Sequence, residues 1–195
     1  MVKVLFICHG NICRSVAAEM IMRQILEQNK QFSISADSAA VSSEEIGNDI
    51  YPPMKRVLMN HGVKCHAHYA RKMQAADYEH YDLLIGMDYD NLRRMEKITG
   101  GDPKHKMHLL MEYAGEKMAE VSDPWYTRDF EKSYQDILRG CNGLMKKLKE
   151  SQWSAYDGGK NEETCTEPGT ADQWNENAEN GHASFTCRRR RILDS

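Results

Sequence analysis

Several features that would assign this chain to a particular class of protein are missing from its sequence. No apolar run approaches the roughly 18 residues of a membrane-spanning helix, so we predict no membrane insertion. Residues 1–7 are too few for the core of a signal peptide. The 26 basic and 29 acidic side chains leave a net charge of −3, which provides no basic field to attract nucleic acid.

The cysteines do not follow a disulfide pattern. Six are scattered along the 195 residues, without the spacings of a small secreted domain stapled by disulfides. We therefore predict a reducing compartment and a cytoplasmic protein.

The most informative motif is Cys-His-Gly-Asn-Ile-Cys-Arg-Ser at residues 8–15. It follows an apolar run and precedes a helical pattern, so it joins a strand to a helix through a Cys-x5-Arg loop. The backbone N–H groups of such a turn and the dipole of the helix form an anion-binding concavity. Gly10 and Asn11 suit the turn, because both accept positive φ more readily than other residues. The motif predicts a phosphate-binding loop.

Three side chains give this loop a chemical role. A cysteine attacks phosphorus as a thiolate, and a helix N-terminus with a nearby cation favours that ionised form. Arg14 presents a planar fork of donors that matches two phosphoryl oxygens, and Ser15 is placed to donate its hydroxyl to the sulfur. A lone cysteine at a strand end is more often a packed core residue. Here its neighbours are in register with it, so we predict that Cys8 is a nucleophile.

The loop resembles the signature of the low-molecular-weight protein tyrosine phosphatases, Cys-x-Gly-Asn-x-Cys-Arg-Ser. Asp-Pro-Trp-Tyr at residues 123–126 stands where that family has the Asp-Pro-aromatic motif of its general acid. An Asp-Pro pair alone is usually a turn, so its weight comes from the first motif. The resemblance implies a metal-independent, cofactor-free hydrolase that acts on a phosphotyrosine-containing protein or a small aryl phosphate. In it Cys8 forms a cysteinyl-phosphate, Arg14 holds the phosphoryl group and Asp123 protonates the leaving phenolate.

The resemblance also implies roles for further residues. The rest of the phosphate-binding loop would be His9, Gly10, Asn11, Ile12, Cys13 and Ser15; the substrate pocket would be Ile12, Trp125 and Tyr126; and the loop support would be His68, Arg71 and Asp88. For His68 the alternative is an ordinary surface histidine. Cys13 resembles a family cysteine that forms a reversible disulfide with the nucleophile, which implies redox sensitivity. An aromatic pocket wall of the family falls at about Glu44 here.

Alternating patterns predict a three-layer α/β sandwich, in which helices flank a four-stranded parallel sheet and the phosphate-binding loop follows strand one. The strands are predicted at residues 2–7, 33–38, 81–86 and 106–110. The helices are predicted at residues 14–28, from Pro52 to Gly62, from Asp88 to Gly100, and from Phe130 with its apolar stripe against the sheet.

Composition changes abruptly after residue 150. Residues 151–195 are rich in Asn, Glu, Gly and Thr and include four consecutive arginines. Such a segment buries too little apolar surface to offset the entropy of ordering it. We predict a phosphatase domain over residues 1–150, as a monomer or weak dimer, and a disordered tail over residues 151–195.

Two other enzymes of the same fold remain as alternatives. Arsenate reductases share the loop but use further cysteines beyond the third strand, and residues 86–101 contain none. Protein arginine phosphatases tend to have threonine at the position of Ile12. The isoleucine and the Trp-Tyr pair at residues 125–126 favour phosphotyrosine.

Two non-catalytic functions are also open. A silent phosphotyrosine-binding protein would keep the loop and lose the chemistry, but the nucleophile, the arginine and the aspartate are all present. A metal-binding module has enough candidate ligands, although their spacing is at the edge of zinc patterns and Arg14 would lie beside the cation. Its ligands would come from Cys8, Cys13, Cys65, His66 and His68.

Overall fold

The computed structural model describes residues 1–30 and 33–158. Within these ranges four strands form one parallel sheet in the order β2-β1-β3-β4. The strands are β1 Val2–Cys8, β2 Ile34–Ala40, β3 Leu83–Gly86 and β4 Met107–Leu109. The helices are α1 Arg14–Glu27, α2 Pro52–Asn60, α3 Asp77–His80, α4 Tyr89–Thr99, α5 Leu110–Tyr113, α6 Pro124–Thr127 and α7 Phe130–Gly158.

The central strand β1 is buried on both faces, which is why it reads as a continuous apolar run. Val4 and Phe6 lie in a core shared with α1, α2, α5 and α7. Leu5 and Ile7 point to the other face, where Met95 of α4 closes a second core. Helices therefore cover both faces of the parallel sheet, and the predicted three-layer sandwich is confirmed.

Local signals set the bounds of α4 as predicted. The Asp88 carboxylate caps the helix by accepting the N–H of Asn91 at 2.7 Å. The helix ends at Gly100, whose φ of 81° suits a residue without a Cβ atom. This cap places Asp88 directly after β3, at the same edge of the sheet as the end of β1.

The last helix joins the core on one face of the sheet, as its apolar stripe predicted, and shares a buried cluster there with Val4 and Phe6 of β1. It packs against α1 and α5, and its Cys141 lies 3.7 Å from the carbonyl oxygen of Ala18. It continues to Gly158, past the boundary predicted at residue 150, because residues 151–157 contain no proline or glycine. The tail prediction for residues 159–195 lies outside the described residues. No helix in the described part is both long and apolar enough to cross a membrane.

Candidate active site

The phosphate-binding loop lies between the last residue of β1, Cys8, and the first residue of α1, Arg14. Positive φ occurs in it at Asn11, at 58°, and not at Gly10, so the predicted reason for the glycine was wrong. A Cβ atom at Gly10 would lie 3.1 Å from Cγ of Glu45, so a larger residue there would require the Glu45 side chain to shift. Asparagine tolerates the left-handed conformation better than most residues, and the tight turn therefore depends on Asn11.

Two hydrogen-bond donors approach the Cys8 sulfur. Its residue is 3% exposed. The backbone N–H of Asn11 donates to the sulfur at 3.3 Å, and the Ser15 hydroxyl lies 3.0 Å away. The side-chain amide of Asn11 already donates to Ser15 Oγ at 3.1 Å, so the serine proton is free to point to the sulfur. Two hydrogen-bond donors are therefore directed at the Cys8 sulfur.

The guanidinium of Arg14 is buried between two carboxylates. Its Nη1 donates to Asp88 at 2.8 Å, and its Nη2 lies 2.6 Å from Asp123 Oδ2. Burial lowers the pKa of Arg14, but the charges of Cys8, Asp123 and Asp88 outweigh burial and the pKa lies above its ordinary value. Asp88 was predicted to support the loop together with Arg71. It contacts the Arg14 guanidinium directly, because it lies just after the end of β3.

Asp123 is held by its own turn and by Arg14. Its Oδ1 accepts the N–H of Trp125 at 2.9 Å and caps the short helix α6. Its other oxygen faces the guanidinium, and the side chain remains 27% exposed. The predicted general acid is therefore in the same site as the predicted nucleophile, although the two are 115 positions apart in the sequence.

Asn11 is the centre of the loop support. It is fully buried. Its side-chain oxygen accepts the backbone N–H of Arg71 at 3.0 Å, and its Nδ2 donates to Ser38 at 2.8 Å. The Nε2 of His68 lies 2.6 Å from the Asn11 carbonyl and must carry the hydrogen, because a carbonyl only accepts. His68 is thus buried against the loop, and Arg71 supports it through its backbone, since its side chain pairs with Asp77 at 2.9 Å.

These contacts belong to a closed circuit of hydrogen bonds and ion pairs around β2, which the backbone N–H of Arg71 completes. Glu19, largely buried on α1, accepts from Ser38 at 2.5 Å and pairs with Arg23 at 2.8 Å. Most of these residues were not predicted from the sequence, because only the spacing of Glu19 and Arg23 by one helical turn indicates a pair. In order, the circuit runs Asn11, Ser38, Glu19, Arg23, Asp37, Tyr81, Arg71 and back to Asn11.

A cavity of about 290 Å³ opens above Cys8 and Arg14. Aromatic rings form one side of it, with ring centroids 6.1 Å apart for Tyr51 and Trp125 and 5.8 Å apart for Tyr51 and Phe130. Tyr51 and Phe130 were missed, although an aromatic residue directly before Pro-Pro at a helix start was visible in the sequence. The lining includes the predicted pocket residues Ile12, Trp125 and Tyr126.

The opposite rim is acidic. Glu44, which stands where an aromatic wall was expected, lines the cavity together with Glu45 and His9. Its carboxylate lies 3.1 Å from Nε2 of His9. The aromatic wall comes from Tyr51 at the N-cap of α2, from Trp125 of α6 and from Phe130 at the start of α7. The position after β2 carries charge instead.

Cys13 also lines the cavity, but its chemistry differs from that of Cys8. Burial raises the pKa of the Cys13 thiol far above its ordinary value, and the neighbouring charge of Cys8 raises it further. Cys13 is therefore a thiol at neutral pH.

The candidate zinc ligands do not form a group. Within the described residues no set of three or more His, Cys, Asp or Glu side chains is arranged to hold a metal ion. His68 is engaged with the loop carbonyl instead, which leaves the metal-binding module without support.

Comparisons with known proteins agree on one family. A sequence model of the low molecular weight phosphotyrosine protein phosphatases matches residues 3–154. Low molecular weight phosphotyrosine protein phosphatase 1 of Drosophila melanogaster is 35% identical over 148 residues, which cover 74% of this chain and 95% of that protein. The Homo sapiens low molecular weight phosphotyrosine protein phosphatase is 37% identical over 153 residues, covering 74% and 94%. The crystal structure of YfkJ from Bacillus subtilis matches with a TM-score of 0.74 at 32% identity, covering 77% of this chain and 96% of that one.

Proposed function

The chain belongs to the low molecular weight phosphotyrosine protein phosphatase family, whose members are hydrolases, and from this we propose that it hydrolyses protein phosphotyrosine through a cysteinyl-phosphate at Cys8. The observation that carries the proposal is the buried guanidinium of Arg14, which belongs to the same loop as the Cys8 sulfur and lies 2.6 Å from the Asp123 carboxylate. A nucleophile, a phosphate-binding cation and a proton donor thus meet in one cavity.

In the first step the Cys8 thiolate attacks phosphorus in line with the phenolic oxygen. Loop N–H groups and Arg14 bind the three equatorial oxygens, where charge spreads in the transition state. Asp88 holds Nη1 of Arg14, so the arginine keeps its orientation while Nη2 turns from Asp123 to the phosphoryl group. The S–P bond forms as the P–O bond to the phenol breaks.

Asp123 balances the protons of the two steps. As a carboxylic acid it gives its proton to the departing phenolate. As a carboxylate it then takes a proton from the water that attacks the cysteinyl-phosphate, which releases inorganic phosphate and restores the thiolate. Its 27% exposure leaves it accessible to that water.

The cavity favours an aryl phosphate over a phosphoserine. A phosphotyrosine ring carries its phosphoryl group to the loop while its faces contact Tyr51, Trp125 and Ile12, which line the cavity. A serine side chain is too short to fill this space. The aromatic side of the cavity likewise favours a phenyl ring over the guanidinium of phosphoarginine.

We further propose that oxidation of Cys8 is reversible. A peroxide would convert the thiolate to a sulfenic acid, and the Cys13 thiol would displace water to form a disulfide that cellular thiols reduce. Both residues line the same cavity. Peroxide-treated enzyme should regain turnover with a dithiol, whereas Cys13→Ser should regain little; equal recovery would contradict this role. The same chemistry suits a reducing compartment such as the cytoplasm.

Turnover of phosphotyrosine, phosphoarginine and phosphoserine peptides with a reductant and a chelator tests the main proposal. We expect wild type to favour phosphotyrosine, Cys8→Ser to be inactive, and Asp123→Ala to be slowed about 10²- to 10⁴-fold. Cys65→Ser, a cysteine outside the cavity, is the matched control and should behave as wild type. Preference for phosphoarginine, or full activity of Cys8→Ser, would overturn the assignment.

A further inference from the structure

A buried carboxylate on α7 has no part in the mechanism described so far. Asp136 is 2% exposed, and an isolated buried charge would be costly. Both of its oxygens are used. Oδ1 lies 2.6 Å from Nζ of Lys132 and 2.8 Å from Nη2 of Arg139, while Oδ2 accepts the backbone N–H of Ser122 at 3.2 Å.

The acceptor role of Asp136 is secured by its surroundings. Burial alone would raise the pKa of Asp136, but hydrogen bonds from Lys132, Arg139 and Ser122 outweigh burial, and the pKa lies below its ordinary value. Arg139 is itself paired with Glu116 on the α5–α6 connection. The carboxylate is therefore ionised at neutral pH and held in place.

Ser122 directly precedes the general acid. The segment leading to it is attached on one side by the N–H of Val121, which donates to the carbonyl of Met87 after β3 at 2.9 Å. Asp136 attaches the next residue to α7 on the other side. These two hydrogen bonds fix the direction in which the chain enters Asp123, and with it the position of the carboxyl group relative to Arg14.

We propose that Asp136 is a positioning residue for the general acid, which it holds in reach of the leaving oxygen through the N–H of Ser122. This rests on the proposed function, since it requires Asp123 to protonate the phenolate. A proton transfer depends steeply on distance, so a shifted Asp123 slows reactions that need the proton. It spares those whose leaving group departs as a stable anion.

The test compares kcat/KM, which reports the steps through departure of the phenol, for phenyl phosphate and for 2,4-dinitrophenyl phosphate. Asp136→Ala is expected to lose about 10-fold with phenyl phosphate and less than about 2-fold with the dinitrophenyl ester. Asp136→Asn retains a carbonyl acceptor for Ser122 and is expected to recover most of the loss. Asp136→Ser, which is one atom shorter, replaces the alanine variant if that variant does not fold.

Ser133→Ala is the matched control. Ser133 is a fully buried neighbour on α7, and its hydroxyl has no hydrogen-bond partner among the described residues, so its removal should change neither rate. Equal losses with both esters in Asp136→Ala, or no recovery in Asp136→Asn, would overturn the positioning role. Asp123→Ala is measured alongside. If the rate loss of Asp123→Ala does not depend on the leaving group, Asp123 is not the general acid and the proposed function fails. If the loss of Asp123→Ala depends on the leaving group and that of Asp136→Ala does not, only the positioning role of Asp136 fails.

Discussion

At the scale of single residues, Asn11 meets two requirements that no other side chain meets together. Its φ of 58° costs an ordinary residue roughly 1–2 kcal/mol. Its side-chain amide also binds Ser15, Ser38 and the N–H of Arg71. Glycine would satisfy the first requirement and fail the second, whereas alanine fails both.

Replacement of Asn11 should therefore separate backbone strain from hydrogen bonding. We expect Asn11→Gly and Asn11→Ala to lose kcat/KM to a similar extent, because both free the Ser15 hydroxyl and leave the N–H of Arg71 unpaired. Asn11→Ala should also be less stable than Asn11→Gly by about 1 kcal/mol. Urea unfolding and phosphotyrosine turnover measure the two effects. Equal stability of the two variants would show that the loop relaxes out of the left-handed conformation.

At the scale of elements, the site depends on how closely α7 approaches α5. Gly143 lies against the backbone of Tyr113 at the end of α5, and a Cβ atom at this glycine would overlap the Tyr113 carbonyl oxygen. The same helix begins at Phe130, which lines the cavity, and carries Asp136 one and a half turns later. A shift of α7 would thus move both the Phe130 ring of the cavity and the hydrogen bond between Asp136 and Ser122.

Gly143→Ala should be destabilising, although alanine is normally the better helix former by about 1 kcal/mol. The added methyl group meets backbone, which cannot swing aside, so we expect a loss of about 3 kcal/mol in the free energy of unfolding. Asn142→Ala, at the exposed position beside it, is the control and should be neutral or slightly stabilising. Urea unfolding of both variants decides the matter, and a stable Gly143→Ala would mean that α5 moves without cost.

Much of this element structure was predictable, because it depends on local signals. The apolar run of β1, the Asp88 cap and the Gly100 stop are each contained in a few neighbouring residues, and the loop motif placed Cys8 and Arg14 correctly. The contacts of Asp136 were not predictable. They join residues whose proximity depends on the packing of α7, and a charged residue on a helix is usually solvated.

At the scale of the whole molecule, the family match ends at residue 154 while the chain has 195 residues. The relatives are covered almost completely by the matched part. We therefore expect a chain ending at Gly158 to keep kcat/KM for phosphotyrosine within about 2-fold of the full chain. Removal of residues from Met145 onward should unfold it, because Met145 and Leu148 are in the core. Loss of turnover in the 1–158 chain would show that the remaining residues contribute to catalysis.

The closed circuit of hydrogen bonds and ion pairs around β2 should make the support of Asn11 tolerant of single substitutions. In a linear chain of hydrogen-bonded residues, replacing one member disconnects the rest. In a closed circuit the remaining members stay connected through the other side. Replacing Asp37 leaves Asn11 held from both Ser38 and Arg71, and replacing Ser38 leaves the Arg71 side intact. Two replacements, one on each side of Asn11, interrupt both routes of support together, so their combined effect should exceed the sum of the single effects. Asn11 then keeps only its bonds to Ser15, His68 and the backbone N–H of Arg71. The residues that support the phosphate-binding loop are therefore partly redundant. Single substitutions among them will underestimate how much the whole circuit contributes to the stability of the loop.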